Sequence, residues 1–271
     1  MVTQEQRKRQ LAREKFLRQQ QRRTAARRKS RVRNSVIASV LGVILVGSLA
    51  LYTTGVMKDD DKTNASADTT PSATPSAVKD PCEKAASGKV KELTWKKEPA
   101  IKIDKSADYT MKLATTCGDI DIALKTAAAP HTVNSFDFLA GEGYFDHTKC
   151  HRLTSSGIYV LQCGDPTGTG SGGPGYTIPD ENLKDKSLKD NVYPAGTVAM
   201  ANTSQPNTGG SQFFLVYQDS QLPPSYTPFG TVSAEGMKVL QKIAAAGENT
   251  GAGDGAPNAT VVIDKATVTK S

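Results

Sequence analysis

Residues 149–165 read KCHRLTSSGIYVLQCGD. Residues 150–154 and 158–163 are two strand-like runs, and the Ser/Ser/Gly cluster between them predicts a tight turn, so the stretch is typical of a β-hairpin. Arg152 and Gln162 lie in the middle of these apolar runs. Either the sheet has an ordinary solvent-facing side, or the hairpin forms the wall of a polar pocket.

Short strand-like segments continue on both sides of this hairpin. Residues 109–116 and 119–124 alternate apolar and polar positions around a turn at 117–118, which predicts another strand pair. Four further segments are rich in strand-forming residues: 196–201, 211–217, 229–233 and 259–269. The pattern predicts seven or eight short strands, and strands this short commonly close into a barrel because closure removes their edges.

Two segments have helical periodicity. Apolar residues recur every three to four positions in each: Val133, Phe136, Leu139 and Ala140 in the first, and Met237, Leu240, Ile243 and Ala244 in the second. Thr132 can cap the start of the first helix and Gly141 can end it, while Ser233 can start the second. We therefore expect one helix after the second strand and one before the last.

The positive charge is concentrated in residues 1–34. Thirteen basic and two acidic residues give this tail a charge of +11, and because the whole chain carries +7, the remainder carries −4. Residues 35–57 contain no charged residue and are long enough to cross a bilayer as a helix. Basic residues before this segment and three aspartates after it predict a cytoplasmic tail and an extracytoplasmic remainder.

Other interpretations of the N-terminal part remain open. Residues 35–57 could be a cleaved signal peptide, although the basic region before them is long and no clear small-x-small site follows. The tail could bind nucleic acid or anionic lipid, but it has few aromatic residues for base stacking, so we expect a topology signal and no nucleic-acid partner. Residues 58–81 are rich in Thr, Ser, Pro and Ala and predict an extended linker. Residues 82–107 then lead into a compact domain at 108–271.

The chain has four cysteines, and an extracytoplasmic domain permits disulfides. If the hairpin turns symmetrically about residues 156–157, residue 154 pairs with 159 and Cys150 lies opposite Cys163. Cys82 is then left to pair with Cys117, which would attach the segment at 82–107 to the first strands. A zinc site is the alternative, but the spacing contains no C-x-x-C.

Two common catalytic patterns have little support. Gly168, Gly170 and Gly173 match G-x-G-x-x-G, but Pro174 and Gly175 follow where a nucleotide-binding loop would open a helix. A serine hydrolase would need its nucleophile on a tight elbow, and the residues around Ser211 lack the second glycine of that elbow. We therefore expect neither nucleotide binding nor covalent hydrolysis.

Six segments, taken in order, resemble the cyclophilin family of peptidyl-prolyl isomerases: CHRL (150–153), QCGD (162–165), GTGSGGPGY (168–176), DEN (180–182), MANTSQPNTGGSQFF (200–214) and PFGTV (228–232). The resemblance covers about residues 108–269. It implies a mainly β fold, a closed antiparallel eight-stranded barrel with two capping helices, here preceded by a transmembrane helix and a linker. The chain would be a bacterial, membrane-anchored form of the family.

The same resemblance implies the residues of an active site. Arg152 would be the catalytic arginine, with Gln162 and Gln212 as catalytic partners. The implied substrate-binding residues are His151, Tyr159, Val160, Ala201, Asn202, Thr203, Phe214, Leu222 and Tyr226. Several depart from the family pattern, because Tyr159 stands where phenylalanine is usual, Val160 for methionine, Thr203 for alanine, Leu222 for tryptophan and Tyr226 for histidine. The missing tryptophan argues against tight cyclosporin binding, and the turn of the hairpin is about two residues longer than usual.

The implied function is catalysis of rotation about Xaa-Pro bonds in extracytoplasmic proteins, which assists their folding. The reaction requires no cofactor and no metal. The expected partners are Xaa-Pro-containing polypeptides and the cell membrane, reached through one N-terminal helix, and the expected state is a monomer with its catalytic domain outside the cytoplasm. A proline-peptide-binding chaperone module with little turnover is the alternative.

Overall fold

The computed structural model describes residues 80–270. The predicted tail at 1–34, the predicted transmembrane helix at 35–57 and nearly all of the predicted linker at 58–81 lie outside these residues. Within the described part, no helix combines the length and apolar character needed to cross a bilayer.

Residues 80–270 form twelve strands and two helices. In chain order they are β1 (Tyr109–Thr115), β2 (Gly118–Leu124), α1 (Pro130–Gly141), β3 (Thr148–Lys149), β4 (Arg152–Thr154), β5 (Val160–Cys163), β6 (Val192–Tyr193), β7 (Thr197–Met200), β8 (Phe213–Val216), β9 (Ser220–Gln221), β10 (Pro228–Val232), α2 (Ala234–Ala245), β11 (Asp254–Gly255) and β12 (Val262–Lys270). The mainly β architecture with two helices agrees with the sequence-based prediction.

The sheet is an open half-barrel, which corrects the prediction of a closed eight-stranded barrel. Ten strands are hydrogen-bonded in the order β11-β4-β5-β8-β7-β10-β2-β1-β12-β3, and β6 pairs separately with β9. The pairings are antiparallel. The two terminal strands, β3 and β11, have two residues each. Such short edge strands limit the exposed edge without the need for closure.

The interruption between the two ends of the sheet lies at Cys150 and His151. The chain passes directly from β3 at one end of the sheet to β4 near the other. The Cys150 N–H donates to the Val261 carbonyl at 3.0 Å, whereas the His151 N–H donates to the Gln162 carbonyl at 3.1 Å. Neighbouring residues therefore bond toward opposite ends of the sheet, and within residues 80–270 no strand pairing joins those ends.

The first helix begins and ends close to the predicted positions and the second begins where predicted, but α1 is capped differently. Its N-cap residue, Ala129, makes no side-chain cap. The Glu181 carboxylate instead accepts hydrogen bonds from the N–H of His131 at 3.0 Å and of Thr132 at 2.9 Å. A carboxylate at a helix N-terminus satisfies open N–H groups and interacts favourably with the helix dipole. Thr132 therefore lies inside the first turn and is not the cap. The Ser233 side chain does cap α2, as predicted, by accepting from the Gly236 N–H.

The strands that carry the site are buried on both faces. Successive side chains of a strand point to opposite faces, so each strand contributes to two clusters. Leu161, Val198, Phe213 and Leu215 belong to the main core, and Val160, Ala199, Phe214 and Val216 belong to a smaller cluster on the other face. The main core includes Phe136 of α1, whose ring centroid lies 4.6 Å from that of Phe229 and 5.4 Å from that of Phe213. The helix thus packs against one face of the sheet, and the site lies on the other face, beside the smaller cluster.

Candidate active site

Four residues lie side by side across four adjacent strands on the face of the smaller cluster. Arg152 pairs with Gln162, Gln162 with Phe214, and Phe214 with Ala199. Residues directly opposite each other in a sheet project from the same face. The row therefore brings a cation, an amide and an aromatic ring together beside apolar side chains.

A hollow of about 180 Å³ opens beside this row. Its lining consists of Arg152, Ile158, Val160, Gln162, Ala201, Asn202, Phe214, Leu222 and Tyr226. Tyr193 supports one wall from beneath, because its hydroxyl donates to the Tyr226 carbonyl at 2.9 Å and accepts from the Tyr226 N–H at 3.2 Å. Burial raises the pKa of Tyr193 to about 12.

Arg152 lies at the mouth of the hollow and is paired with Asp254. Its Nε and Nη2 each donate to one carboxylate oxygen at 2.7 Å, and Nη1 donates to Gln162 Oε1 at 3.2 Å. The hydrogen bond from Arg152 lowers the pKa of Asp254, and the same bond raises the pKa of Arg152. The Arg152 side chain remains 38% exposed. Of its five N–H groups, two have no protein acceptor within residues 80–270 and can meet a bound molecule.

A chain of amide hydrogen bonds extends from Arg152 across the site. Gln162 Nε2 donates to Gln212 Oε1 at 2.9 Å, and Gln212 Nε2 donates to the Gly172 carbonyl at 2.9 Å. Each amide therefore has its oxygen directed toward the preceding donor and its nitrogen toward the next acceptor. The arrangement fixes the edge of the guanidinium at which Gln162 accepts.

The glycine-rich loop after β5, residues 166–176, surrounds the carboxylate of Asp165. Asp165 is fully buried and accepts from the backbone N–H groups of Thr167, Thr169, Gly170, Ser171 and Gly172. Burial alone would raise the pKa of Asp165, but these hydrogen bonds outweigh it and lower the pKa. A Cβ at Gly172 would lie 2.0 Å from Asp165 Oδ1, which explains the glycine. The N–H groups that a phosphate would need are therefore occupied by the protein's own carboxylate.

A second, larger cavity of about 1010 Å³ adjoins the hollow. Gln162, Ala201 and Asn202 line both spaces. The glycine-rich loop and residues 208–212 form much of the remaining lining, and Lys96, Lys97 and Glu98 complete one wall. The two spaces therefore form one continuous groove.

The structure brings most of the predicted site residues together. Eight of them line the hollow: Arg152, Val160, Gln162, Ala201, Asn202, Phe214, Leu222 and Tyr226. Gln212 and Thr203 line the adjoining cavity. The Asn202 amide, predicted to hold substrate backbone, donates to the Ser225 carbonyl at 2.7 Å and so fixes the rim of the hollow.

Two predicted substrate-binding residues do not line the hollow. Tyr159 points away, with its ring centroid 5.9 Å from that of Tyr217. Ile158, just before β5, takes its place and lines the hollow with Val160 and Gln162, because successive residues of an extended chain project to opposite sides. His151 is also absent from the lining. Its ring packs against Gly170, where a Cβ would lie 3.6 Å from Nε2, and both ring nitrogens are buried with no hydrogen-bond partner among the described residues.

The hairpin register differs from the predicted one by a single residue. Arg152 pairs with Gln162 and Leu153 with Leu161, so the turn is centred on Gly157, which has a φ of 77°. The predicted pairing of residue 154 with 159 is therefore wrong. The predicted disulfides are nevertheless present, joining Cys150 to Cys163 and Cys82 to Cys117.

Sequence reasoning missed Ile158 and Asp254. For Ile158 the signal was available, since strict alternation from Gln162 excludes position 159. Asp254 lies 102 residues from Arg152 in the chain. Its only local signal is an acid between two glycines near the end of the chain, which by itself predicts a turn.

Comparison with known proteins supports these observations. The family model described as "Cyclophilin type peptidyl-prolyl cis-trans isomerase/CLD" matches residues 110–268. A "Probable peptidyl-prolyl cis-trans isomerase B" from Mycobacterium leprae is 52% identical over 166 residues, which cover 58% of this chain and 56% of the relative. A "Peptidyl-prolyl cis-trans isomerase" from Helicobacter pylori is 40% identical over 141 residues, covering 51% of this chain and 81% of the relative. The chain thus spans little more than half the length of the mycobacterial relative.

Among solved structures, a cyclophilin type peptidyl-prolyl cis-trans isomerase from Cryptosporidium parvum superposes with a TM-score of 0.50 at 27% identity. The match covers 60% of this chain and 99% of that one. A second structure of that protein, in the presence of the dipeptide Ala-Pro, gives the same TM-score at 28% identity.

Proposed function

Because the chain belongs to the cyclophilin-type peptidyl-prolyl cis–trans isomerase family, as the match over residues 110–268 shows, we propose that its domain at 108–271 catalyses rotation about Xaa-Pro peptide bonds. One observation carries the proposal beyond family membership. A guanidinium with two N–H groups that have no acceptor among residues 80–270 lines a hollow of about 180 Å³, whose other side chains include Val160, Phe214 and Leu222. A cavity of roughly 150 Å³ accepts a benzene ring, so this hollow can accommodate the pyrrolidine ring of proline.

The reaction needs a catalyst that weakens amide resonance. Resonance holds the bond before proline planar with a barrier of roughly 20 kcal/mol, and uncatalysed exchange takes tens of seconds or longer. As the bond twists, the proline nitrogen becomes pyramidal and its lone pair is localised. No covalent bond is formed or broken during the rotation. A hydrogen-bond donor aimed at that lone pair therefore binds the twisted state better than either planar state.

Arg152 supplies such a donor. Its guanidinium is charged at every physiological pH and presents its N–H groups in a rigid plane. Asp254 and Gln162 hold that plane by the hydrogen bonds described above, so little reorganisation is needed as the nitrogen changes shape. Val160, Phe214 and Leu222 provide apolar surface for the ring, which fixes one side of the rotating bond. The other side of the bond is then free to turn.

The test is an isomerisation assay with Xaa-Pro peptides on the full-length chain and its Arg152→Ala variant. Removal of one pre-organised donor of this kind typically costs about 10²–10³ in rate, and we expect a loss of this size in kcat/KM with peptide binding retained. Equal rates for the two proteins would reject the mechanism. Peptide binding by the wild-type chain with no acceleration of isomerisation would favour the binding module instead.

We also propose that the domain acts as a monomer outside the cytoplasmic membrane, held there by residues 35–57. The uncharged segment, the basic residues before it and the two disulfides support this location, because disulfides persist mainly in oxidising compartments. Protease added to intact cells whose outer layers have been opened should degrade the domain and leave residues 1–34 protected. Degradation only after lysis of the inner membrane would contradict the location, and sedimentation of the detergent-solubilised chain tests the monomer.

A further inference from the structure

The groove beside the hollow has a wall that is external to the family domain. Lys96, Lys97 and Glu98 line the larger cavity, and these residues precede the segment matched by the family model, which begins at residue 110. Gln162, Ala201 and Asn202 line both spaces, so a peptide whose proline occupies the hollow can extend past them into the larger cavity. Its neighbouring residues then pass in front of this additional wall.

Several contacts hold the wall against the domain. The Trp95 N–H donates to the Pro174 carbonyl at 2.8 Å, and the Trp95 ring lies 5.0 Å from the ring of Phe138, measured between centroids. Farther along the segment, the Lys102 N–H donates to Asn134 Oδ1 at 2.8 Å. The Cys82–Cys117 disulfide ties the beginning of the segment to the turn after β1. The two lysines therefore project from backbone that is attached at both ends.

Two of the three charged groups on this wall are positive. Lys96 and Lys97 are exposed, and neither forms an ion pair within residues 80–270. Glu98 is the one acidic residue among the groups that line the cavity, and its Oε1 lies 2.6 Å from His131 Nδ1. The remaining lining consists of glycines, amides, hydroxyl groups and small apolar residues. An acidic side chain in the groove would thus lie near two lysines that form no ion pair in the part of the chain that the structure describes.

We propose that Lys96 and Lys97 form a subsite that selects acidic residues in the peptide segment adjoining the proline. This specificity rests on the proposed isomerase function. Exposed charges act mainly through long-range attraction, which accelerates encounter and is screened by salt. Exposed ion pairs contribute only modestly, so we expect a preference of about three- to tenfold for an acidic over an uncharged neighbour, and a weaker preference at high salt.

The test uses the full-length chain and a series of Xaa-Pro peptides in which each of the three positions before and after proline is alanine, glutamate or lysine. The expected result is a higher kcat/KM for glutamate than for alanine, and a lower one for lysine, at positions on one side of the proline. In the Lys96→Glu/Lys97→Glu variant the order should reverse. The Lys102→Glu/Lys105→Glu variant changes the same segment by the same charge away from the cavity, and should keep the wild-type order.

Three results would overturn the proposal: no charge preference in the wild-type chain, an unchanged preference in the Lys96→Glu/Lys97→Glu variant, or an equal change in the control variant. The alanine peptide separates this outcome from failure of the isomerase function, because its turnover does not depend on the two lysines' charge preference. If the alanine peptide is not turned over, affinities of the same series measured by fluorescence anisotropy test the subsite by the same criteria.

Discussion

Arg152 and Asp254 form a two-pronged ion pair, with Nε bonded to Oδ1 and Nη2 bonded to Oδ2 at 2.7 Å each. They lie on paired strands, since Asp254 is opposite Thr154 in the ladder between β11 and β4. A bidentate pair fixes the plane of the guanidinium as well as its position. Exposed pairs of this kind add little to stability, about 0–1 kcal/mol. The contribution of Asp254 is therefore expected in the orientation of Arg152.

Asp254→Asn tests this positioning role. Loss of the two-pronged ion pair should let the guanidinium rotate. Because a small misplacement of a reacting group can lower the rate roughly 10²-fold, we expect kcat to fall ten- to hundredfold. KM should be nearly unchanged. The free energy of unfolding should change by less than about 1 kcal/mol. The matched control is Asp108→Asn, at an exposed acid with no hydrogen bond within residues 80–270.

A direct readout is available because Arg152 is the only arginine after residue 33. In a fragment of residues 80–271 with labelled arginine, a single Nε–H signal reports its environment. Asp254→Asn should shift that signal and speed its exchange with water, and Asp254→Glu should partly restore both the signal and kcat. An unchanged signal with a reduced kcat would show that Asp254 acts by some other route.

The pocket lining makes opposite predictions for two adjacent residues. Ile158→Ala removes apolar atoms from the hollow, and at about 0.8 kcal/mol per buried CH₂ should raise KM for Xaa-Pro peptides by about five- to thirtyfold. Tyr159→Ala removes a ring that packs on Tyr217 and should leave KM within about twofold, although it lowers stability. Measuring KM for Xaa-Pro peptides with both variants shows which of the two residues contacts the substrate. A larger rise in KM for Tyr159→Ala would favour the assignment based on family resemblance.

Parts of this site were predictable because local sequence encodes them. Alternation along β5 puts Gln162 on the same face as Val160, and the family resemblance identifies that face as the pocket side. The end of the first helix at Gly141 and the start of the second at Ser233 follow from residue type. Other parts depend on contacts between distant positions. Glu181 caps a helix about 50 residues earlier, and Asp254 meets an arginine 102 residues away. Periodicity carries no information about such pairs, since it describes a strand or helix without naming its neighbour.

The hairpin register was missed for a related reason. A turn of Ser155, Ser156 and Gly157 can be centred between two residues or on one, and the sequence does not distinguish these geometries. The open sheet has the same origin. Whether β3 and β11 pair depends on the path of residues 150–151 between the two ends of the sheet, which only the assembled strands define.

Removal of the Cys82–Cys117 disulfide should affect stability more than chemistry. The bond closes a loop with a sequence separation of 35 residues, and cross-links of this kind typically contribute about 2–4 kcal/mol. Cys82→Ser/Cys117→Ser should lower the free energy of unfolding by that amount in denaturant titrations, while kcat for an alanine-flanked Xaa-Pro peptide is retained. If kcat also fell sharply in the still-folded variant, the segment at 82–107 would have a role in catalysis that the geometry does not indicate.

His151 predicts how stability depends on pH. Burial lowers the pKa of its imidazole below the ordinary 6.5; the charge of Arg152 acts in the same direction and Asp165 opposes them. The unfolded chain therefore binds a proton at this residue at a higher pH than the folded chain does. The contribution of His151 to the free energy of unfolding is constant above about pH 6.5. As the pH falls from there toward the lower pKa of the folded state, the free energy of unfolding decreases. Denaturant titrations between pH 7.5 and 5 should give a smaller decline in unfolding free energy for His151→Phe than for the wild type, and NMR titration should place the ring pKa below 6.5. Equal declines in the two proteins would show that the buried imidazole takes up its proton as readily as one in the unfolded chain.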